Sequence, residues 1–417
     1  MFRQKTPLKK FFWALLMVAG LATAACGSSG GTTNTNNSNS TDALTQKFLA
    51  NYAAIVLASY TDSLNLAEDL RDAIQTFVNN PTQGNFDSAK AAWLQAREPY
   101  GQTEGYRFYD GPIDNDPDGP EPFINSWPLD EAVIDYTTGN PNGGLVNNMP
   151  AVEVNAENLS DLNTQDADDA IFTGYHAIEF LLWGQDLNQN PGDAGMRPYT
   201  DYVDAGTADN QDRRRAYLGV VGELLVEHLE SLVAAWSENT AGNYRASFLN
   251  ITPLEALRRT IVGVGNLAAG ELAGERMSVA LLTKDDEDEH SCFSDNTHRD
   301  ILNNFKSIQN IYFGTYTRTD GTQAGDGTGL DDLFEAGAPE LNQQMKEQLQ
   351  IAQEAINGIN TTAMGGVPFD EQVLGDDSNP NRQRVQTAVE ALQTFGQLLS
   401  DAALELGVDI NLDNNGE

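Results

Sequence analysis

Apolar residues recur at intervals of three and four over most of this 417-residue chain, whereas the alternating runs typical of strands are scarce. One such stripe consists of Met345, Leu349, Ala352 and Ile356. This spacing places the apolar side chains on one face of a helix, which must then be buried against other helices. The sequence therefore predicts an all-α protein.

Long helices joined by several long loops account for most of the length. We expect them over residues 43–78, 86–107, 166–184, 213–237, 253–282, 297–314, 340–358 and 382–406. These helices exceed what a single four-helix bundle needs. The prediction is an N-terminal helical bundle over 43–244 and a C-terminal helical bundle over 245–417, an arrangement that an ancient duplication would produce.

The first 25 residues have the pattern of an export signal. Basic residues lie between Arg3 and Lys10, and the apolar stretch 11–22 that follows is too short to span a bilayer comfortably. Small residues precede Cys26, as in a bacterial lipoprotein cleavage box. We expect residues 1–25 to be removed and Cys26 to carry a lipid. The alternative is an uncleaved or conventionally cleaved signal in which Cys26 has no role.

Residues 26–42 are rich in Gly, Ser, Thr and Asn, and they predict a flexible tether. No later apolar run is long and uncharged enough to cross a membrane, so a lipid would be the sole anchor. The expected location is a bacterial membrane surface, in the periplasm or on the outer face of the cell.

The chain is strongly acidic, with 24 basic and 61 acidic residues and a formal net charge of −37. Such a surface repels polyanions, which excludes nucleic acid as a natural partner. It would concentrate cations. Acidity that merely keeps an exported protein soluble is the alternative interpretation.

His176 and Glu179 lie three residues apart in a segment that is apolar on nearly every side. On a helix this spacing places both side chains on one face, directed into the interior or into an interface. Imidazole nitrogen and carboxylate oxygen are ligands that suit Fe, Zn and similar ions. Two ligands do not complete a site, so another element must supply at least one more. Without metal, the pair would be a buried ion pair that fixes helix packing.

A second polar stripe consists of Trp93, Arg97, Tyr100, Glu104 and Arg107, at steps of four, three, four and three. Aromatic rings and charges on one face differ from a hydrophobic core pattern. We interpret Arg97, Glu104 and Arg107 as lining a ligand-binding pocket or a domain interface. The alternative is a set of intrahelical salt bridges to Glu104.

The segment from His290 to Asp300 supplies weaker candidates. His290 follows an acidic run whose carboxylates would raise its pKa. Thr297 and Asp300 have the spacing of a capping box, whereas His298 has no such structural explanation. We therefore interpret His290, Asp295 and His298 as residues that close the pocket.

At these residues the chain resembles a known family. Gly174-x-His176-x-x-Glu179 resembles the signature of the imelysin family, which is peptidase M75-like, and other blocks of the chain resemble further parts of it. Those blocks are Trp93, Arg97, residues 107–114, residues 127–131 and residues 290–298.

The resemblance points to an iron-regulated branch of exported lipoproteins. It implies two helix-bundle domains with a functional site between them. It also implies a metal ion or a metal-bearing ligand as partner, a role in iron uptake, and an iron transporter or receptor as a further partner. HxxE spacing with carboxylates does not choose between Fe, Zn and similar ions.

The family has been classed with metallopeptidases, which makes hydrolysis an alternative function. Zinc peptidases typically present His-Glu-x-x-His, in which the catalytic base is distinct from the ligands. This chain has His-Ala-Ile-Glu, so a base and a second histidine would have to come from distant positions, such as His290 or His298 with Glu104. The sequence therefore favours a binding protein over a metallopeptidase. A non-catalytic structural or interaction module is the third interpretation.

Overall fold

The computed structural model describes residues 35–412 except 116, 118, 164–166, 168 and 188–193. The α-helices are α1 (Thr35–Asn79), α2 (Gln83–Tyr100), α3 (Glu121–Ile124), α4 (Gly144–Asn148), α5 (Ala156–Leu162), α6 (Gly174–Trp183), α7 (Gln211–Trp236), α8 (Tyr244–Phe248), α9 (Pro253–Asn266), α10 (Val279–Thr283), α11 (Thr297–Phe313), α12 (Leu330–Gly337), α13 (Pro339–Met364), α14 (Phe369–Val373) and α15 (Pro380–Glu405).

Other regular structure is short. A π-helix spans Leu267–Ser278 between α9 and α10. The 3₁₀ helices are Gly101–Tyr106, Glu131–Val133, Tyr199–Tyr202, Asp286–Asp288 and Cys292–Ser294. The strands β1 (Tyr316–Thr317) and β2 (Gln323–Ala324) pair antiparallel. The all-α prediction is confirmed.

Helix α1 begins at Thr35, so the second half of the predicted tether is helical and the predicted start at residue 43 is too late. Extending a helix that is already nucleated costs little per residue, even for polar residues of modest helix propensity. Residues 1–34, including the predicted signal peptide and Cys26, lie outside the described residues. Within the described part of the chain, no helix combines the length and apolar composition that a bilayer crossing requires.

The long helices pack in two groups. In the first half of the chain, α1 packs against α2 and α7, and α6 packs against both α2 and α7. In the second half, α15 packs against α13, α9 and the π-helix. Helix α11 contacts both groups, through α13 and through the 3₁₀ helix Gly101–Tyr106. Buried apolar side chains form one continuous core through both groups. A division near residue 245 remains a prediction.

The predicted helix over 86–107 changes character after Pro99. Helix α2 ends at Tyr100 and a 3₁₀ helix continues to Tyr106. Proline removes one backbone donor and crowds the preceding turn, which disrupts regular α-helix. Close packing accompanies the change, because a Cβ at Gly101 would lie 2.8 Å from Asn303 Cβ on α11.

The helix predicted over 166–184 begins later than expected, because α6 starts at Gly174. Gly174 has φ +86°, and a Cβ there would lie 2.5 Å from the carbonyl oxygen of Ile124. Glycine is therefore needed where the chain turns sharply into α6. The predicted helix over 253–282 is continuous through α9, the π-helix and α10.

Candidate functional site

Helix α6 lies in the interior, and every one of its residues is buried. The side chains of His176 and Glu179 are both 0% exposed. Helices α2 and α7 cover α6 on one side, and the 3₁₀ helix Cys292–Ser294 contacts it from the second half of the chain. The site residues of α6 therefore face a junction between the two halves.

His176 and Glu179 are hydrogen-bonded to each other, with 2.9 Å between His176 Nδ1 and Glu179 Oε2. The other carboxylate oxygen, Oε1, accepts hydrogen bonds from the backbone N–H and the hydroxyl of Ser294, at 3.0 and 2.6 Å. In contrast, His176 Nε2 is buried and has no hydrogen-bond partner among the described residues. A buried polar atom left unpaired costs about 1–3 kcal/mol.

Burial sets the protonation of this pair. It raises the pKa of Glu179 to about 8, although the Ser294 hydroxyl opposes the shift. It lowers the pKa of His176 well below the ordinary value, and His290 and Arg97 lower that pKa further. At neutral pH the pair is therefore a neutral imidazole beside a protonated carboxyl, not the ion pair considered from the sequence.

His290 forms a second histidine and carboxylate pair beside the first. Its ring centroid lies 4.6 Å from that of His176, with the rings at 72°. His290 Nδ1 is 2.9 Å from Asp300 Oδ2, which also accepts a 2.5 Å hydrogen bond from the Ser291 hydroxyl. Each imidazole is therefore held through Nδ1 by its own carboxylate.

Arg97 keeps Asp300 charged. The guanidinium donates from Nη2 and Nε to Asp300 Oδ1, at 3.0 and 3.3 Å. Burial opposes the charge, but Arg97 and then His290 hold the pKa of Asp300 well below its usual range. Burial and Arg276 lower the pKa of His290 to about 4. His290 is therefore neutral at physiological pH.

A hydrogen-bonded chain connects Arg97 to Glu104. Arg97 Nη1 donates to Asn125 Oδ1 at 2.5 Å, and Asn125 Nδ2 lies 3.4 Å from Glu104 Oε1. Glu104 Oε2 accepts hydrogen bonds from Arg107 Nη1 and Arg276 Nη2, both at 2.9 Å. Burial would raise the pKa of Glu104, but Arg276 and Arg107 lower it to about 2. Glu104 is therefore a fixed anion.

The ring of Trp127 packs against both histidines. The Trp127 ring lies 5.0 Å from the His176 ring and 6.4 Å from the His290 ring. Together with Phe293 and Cys292, Trp127 also lines a small surface hollow. Trp127 is partly exposed, whereas both histidines are buried.

Asp295 and His298 lie at the start of α11 and contact each other there. His298 is half-buried, and its Nδ1 lies 3.0 Å from the carbonyl oxygen of Asp295. Asp295 adopts a left-handed backbone conformation with φ +56° just before the helix. The structure thus brings Arg97, Glu104, Arg107 and His290 into one network with α6, whereas the described hydrogen bond of His298 is local.

Several residues of this network were not predicted as site residues: Asn125, Trp127, Arg276, Ser294 and Asp300. The sequence suggested a capping box for Asp300, and that interpretation is wrong, because its carboxylate binds His290, Ser291 and Arg97. Thr297 Oγ1 accepts from the Ser291 backbone N–H instead. A buried carboxylate near two histidines has no local sequence signal that distinguishes it from a cap.

The side chains of this centre provide part of a metal site. His176 Nε2 has a free lone pair in the tautomer that donates from Nδ1 to ionised Glu179. In the described residues, no group of three His, Cys, Asp or Glu side chains is placed to hold a metal ion. Arg97 Nη2 lies only 3.4 Å from His290 Nδ1, which disfavours a bare cation there. These donor atoms suit a metal ion that arrives with a bound chelator, and they suit a bare metal ion less well.

Comparison with known proteins places the chain in a family. The imelysin family profile matches residues 56–399. The chain is similar to the iron-regulated protein A of Synechococcus elongatus, with 25% identity over 313 residues that cover 73% of each chain.

Two crystal structures share the fold. One is described as an iron-regulated protein A precursor from Parabacteroides distasonis, with a TM-score of 0.65, 20% identity and coverage of 87% of this chain and 95% of that chain. The other is an imelysin-like protein from Psychrobacter arcticum, with a TM-score of 0.61, 13% identity and coverage of 89% and 98%.

This chain therefore combines an all-α fold with a buried polar centre of two histidines and their carboxylates. The profile match covers most of the chain, and the chain belongs to the imelysin family.

Proposed function

We propose that this protein binds a metal ion carried by an anionic ligand, and that it takes part in iron acquisition outside the cytoplasm. The observation that carries the proposal is His176 Nε2, a buried nitrogen without a hydrogen-bond partner, beside a second neutral imidazole. Coordination would satisfy this atom. Each imidazole is held through Nδ1 by a carboxylate, the arrangement that commonly orients metal-ligating histidines.

Glu179 would orient His176 instead of contacting the metal. Its Oε2 lies 2.9 Å from His176 Nδ1, and its Oε1 is occupied by Ser294. This refines the expectation that His176 and Glu179 both bind one ion. A metal bound at His176 Nε2 would withdraw electrons from the ring and make the Nδ1–H group a stronger donor. The ionised form of Glu179 would then be favoured, because it accepts this hydrogen bond. Binding would therefore release a proton from Glu179.

The surrounding guanidiniums favour an anionic carrier. Arg97, Arg107 and Arg276 are all buried or nearly so within the network that joins Glu104 to Asp300. Arg97 is the one beside the imidazoles, with Nη2 3.4 Å from His290 Nδ1, so a carboxylate of a chelator would meet Arg97 while its metal met the imidazoles. Iron is the proposed metal because the curated relative from Synechococcus elongatus is named an iron-regulated protein.

Export and lipid attachment through Cys26 are part of the same proposal. They rest on the sequence of residues 1–26. Replacing Cys26 by Ala should move the protein from the membrane fraction to the soluble fraction. If the distribution of the variant equals that of the wild-type chain, the lipid anchor is wrong. An iron transporter or receptor in the same membrane is the proposed partner.

Hydrolysis has weaker support. Glu104, the base considered for a peptidase, has a pKa lowered to about 2 by Arg276 and Arg107 against the effect of burial. A carboxylate with so low a pKa is a poor general base at neutral pH. The binding function therefore remains the one that we propose.

The test is stoichiometric metal loading of chelator-treated protein. Ferric citrate, ferrous ion and zinc ion would be added separately, and bound metal would be measured by elemental analysis after gel filtration. We expect about one iron per chain from ferric citrate, and at least tenfold weaker loading for His176→Gln and His290→Gln. His228→Gln is the matched control, because His228 is half-buried on α7 and stacks on Phe123.

Three results would overturn this function. Equal loading in all variants would assign the metal to surface carboxylates. Cleavage of a peptide library that is lost in His176→Gln would favour a metallopeptidase. No loading by the wild-type chain, combined with a large loss of stability in His176→Gln, would favour a structural module.

A further inference from the structure

A pocket of about 260 Å³ lies at the carboxyl end of α6, where Gly184 ends the helix. Its walls are mostly apolar and include Trp183, Leu187, Met196 and the ring of Tyr136. Leu187 and Met196 are 47% and 78% exposed, so they form the mouth. The volume is close to the lower end of the range for pockets that hold small molecules.

Arg197 lines this pocket with an incompletely used guanidinium. Its side chain is only 1% exposed, and Nη1 donates to Asp135 Oδ2 at 2.5 Å. Nε is buried without a partner, and within the described part of the chain Nη2 donates no hydrogen bond. A Cβ built at Gly184 would lie 3.5 Å from Nε, so this edge of the guanidinium faces the glycine that lines the pocket.

Neighbouring arginines show that this free edge is unusual. Arg214 shares Asp135 with Arg197, yet it donates from Nε, Nη1 and Nη2. The other buried arginines with an unpartnered Nε each use Nη2 in an ion pair; they are Arg107, Arg276 and Arg382. Pairing with Asp135 therefore uses Nη1 of Arg197 and leaves Nε and Nη2 without a described hydrogen bond.

The free edge has the geometry that recognises a carboxylate. Nε and Nη2 project in parallel, so they donate two hydrogen bonds to the two oxygens of one carboxylate. A second cation borders the same indole, since Lys90 Nζ lies 4.9 Å from the centroid of the Trp183 ring. Asp186 also lines the pocket, which disfavours ligands of higher negative charge.

We propose that this pocket binds a small monocarboxylate with an apolar or aromatic body, with the carboxylate on the Nε and Nη2 edge of Arg197. The apolar body lies against Trp183 and the mouth residues Leu187 and Met196. This site is separate from the paired histidines, although Arg197 also lies over the Phe180 ring, 5.1 Å from its centroid, and Phe180 packs against Phe293. Binding here requires no metal.

The experiment is isothermal titration of chelator-treated full chain with phenylacetate, and with phenylacetamide as the uncharged analogue. We expect one phenylacetate per chain with a Kd on the order of 0.1–1 mM, and at least tenfold weaker binding of the amide. Met196→Glu places a carboxylate at the exposed mouth and should weaken phenylacetate binding at least tenfold. Met364→Glu is the matched control, since Met364 is 72% exposed outside the pocket, and should change binding less than twofold.

Arg197→Gln tests the guanidinium directly and should abolish measurable binding. Because loss of its pairing with Asp135 threatens folding, circular dichroism must first show a wild-type helical signal. If Arg197→Gln fails to fold, the Met196→Glu variant and the comparison with phenylacetamide still test carboxylate binding in this pocket. The proposal is overturned if phenylacetate does not bind, if the acid and the amide bind equally, or if Met196→Glu and Met364→Glu behave alike. Binding of phenylacetate by the chelator-treated chain, with no metal added, separates this site from the proposed metal site.

Discussion

Glu104 and Glu179 are two fully buried glutamates in one network, and they differ in protonation. Glu104 is 1% exposed and Glu179 is 0% exposed. Two guanidiniums lower the pKa of Glu104 to about 2 against the effect of burial, whereas burial without a cation in direct contact raises the pKa of Glu179 to about 8. The hydrogen-bonding partners of Glu179 are a neutral histidine and a serine.

The difference teaches that burial alone does not decide the role of a carboxylate. Glu104 is a permanent anion that holds Arg107 and Arg276 together across the junction between the two halves. Glu179 has a raised pKa, and under the proposed function it would lose its proton when a metal bound at His176.

The largest expected effect is on stability. Glu104→Gln removes the shared counter-ion of Arg107 and Arg276, and we expect a loss of about 3–5 kcal/mol in the free energy of unfolding. Glu179→Gln replaces a carboxyl that is already neutral, so we expect stability at neutral pH to be unchanged or increased. Urea unfolding of metal-free protein measures both variants. Equal losses would show that the two glutamates play the same role.

The second effect is on metal affinity. Glu179→Gln removes the negative partner that would hold His176 in its ligating orientation, and we expect metal to bind 10–100-fold more weakly, on the order of what loss of such a carboxylate costs. Competition with a chelator of known affinity measures the change. Wild-type affinity in this variant would mean that the proton on Glu179 has no connection to metal binding.

The third effect is the pH dependence of stability, which has opposite signs at the two residues. The folded pKa of Glu179 lies above the ordinary 4.5, so the folded state binds more protons and stability falls as pH rises toward 8. The folded pKa of Glu104 lies below 4.5, so its contribution is present above that pH and is lost as pH falls toward 2.

The free energy of unfolding of the wild-type chain minus that of Glu179→Gln should therefore decrease by about 1.4 kcal/mol per pH unit between about pH 5 and 7.5. Urea unfolding at several pH values, with chelator present, measures this slope. A flat difference would mean that Glu179 is ionised in the folded protein throughout this range.

The smallest effect is expected at His298, which pairs with the carbonyl oxygen of Asp295 instead of a carboxylate. His298→Gln should change metal affinity less than about twofold, because a residue without contact to the metal or its ligands contributes little. The same competition assay applies. A tenfold loss would extend the centre to the start of α11 and would restore His298 as a pocket residue.

The sequence predicted the helices well where periodicity and helix ends agree. Helix α9 begins at Pro253, as predicted, and the Thr252 hydroxyl accepts a hydrogen bond from the Glu255 backbone N–H at this end. The start of α6 was missed, because the turn at Gly174 depends on contact with Ile124, fifty residues earlier in the chain. The π-helix Leu267–Ser278 has no periodicity signal that separates it from α-helix.

The pairwise contacts of the site could be predicted only where the residues are close in sequence. His176 and Glu179 form a local pair, and Arg107 contacts Glu104 three residues away. Arg97 meets Asp300 across 203 positions, and Arg276 meets Glu104 across 172. Such contacts arise from packing between the two groups of helices. No spacing along the chain encodes them.

The proposed function requires His176 Nε2 to be a metal ligand. The most direct measurement is anomalous scattering at the iron edge from crystals soaked in ferric citrate. We expect one strong peak about 2.0–2.2 Å from His176 Nε2, near His290 and absent from His176→Gln crystals. Peaks confined to surface carboxylates, with the His176 and His290 rings unmoved and uncoordinated, would contradict it.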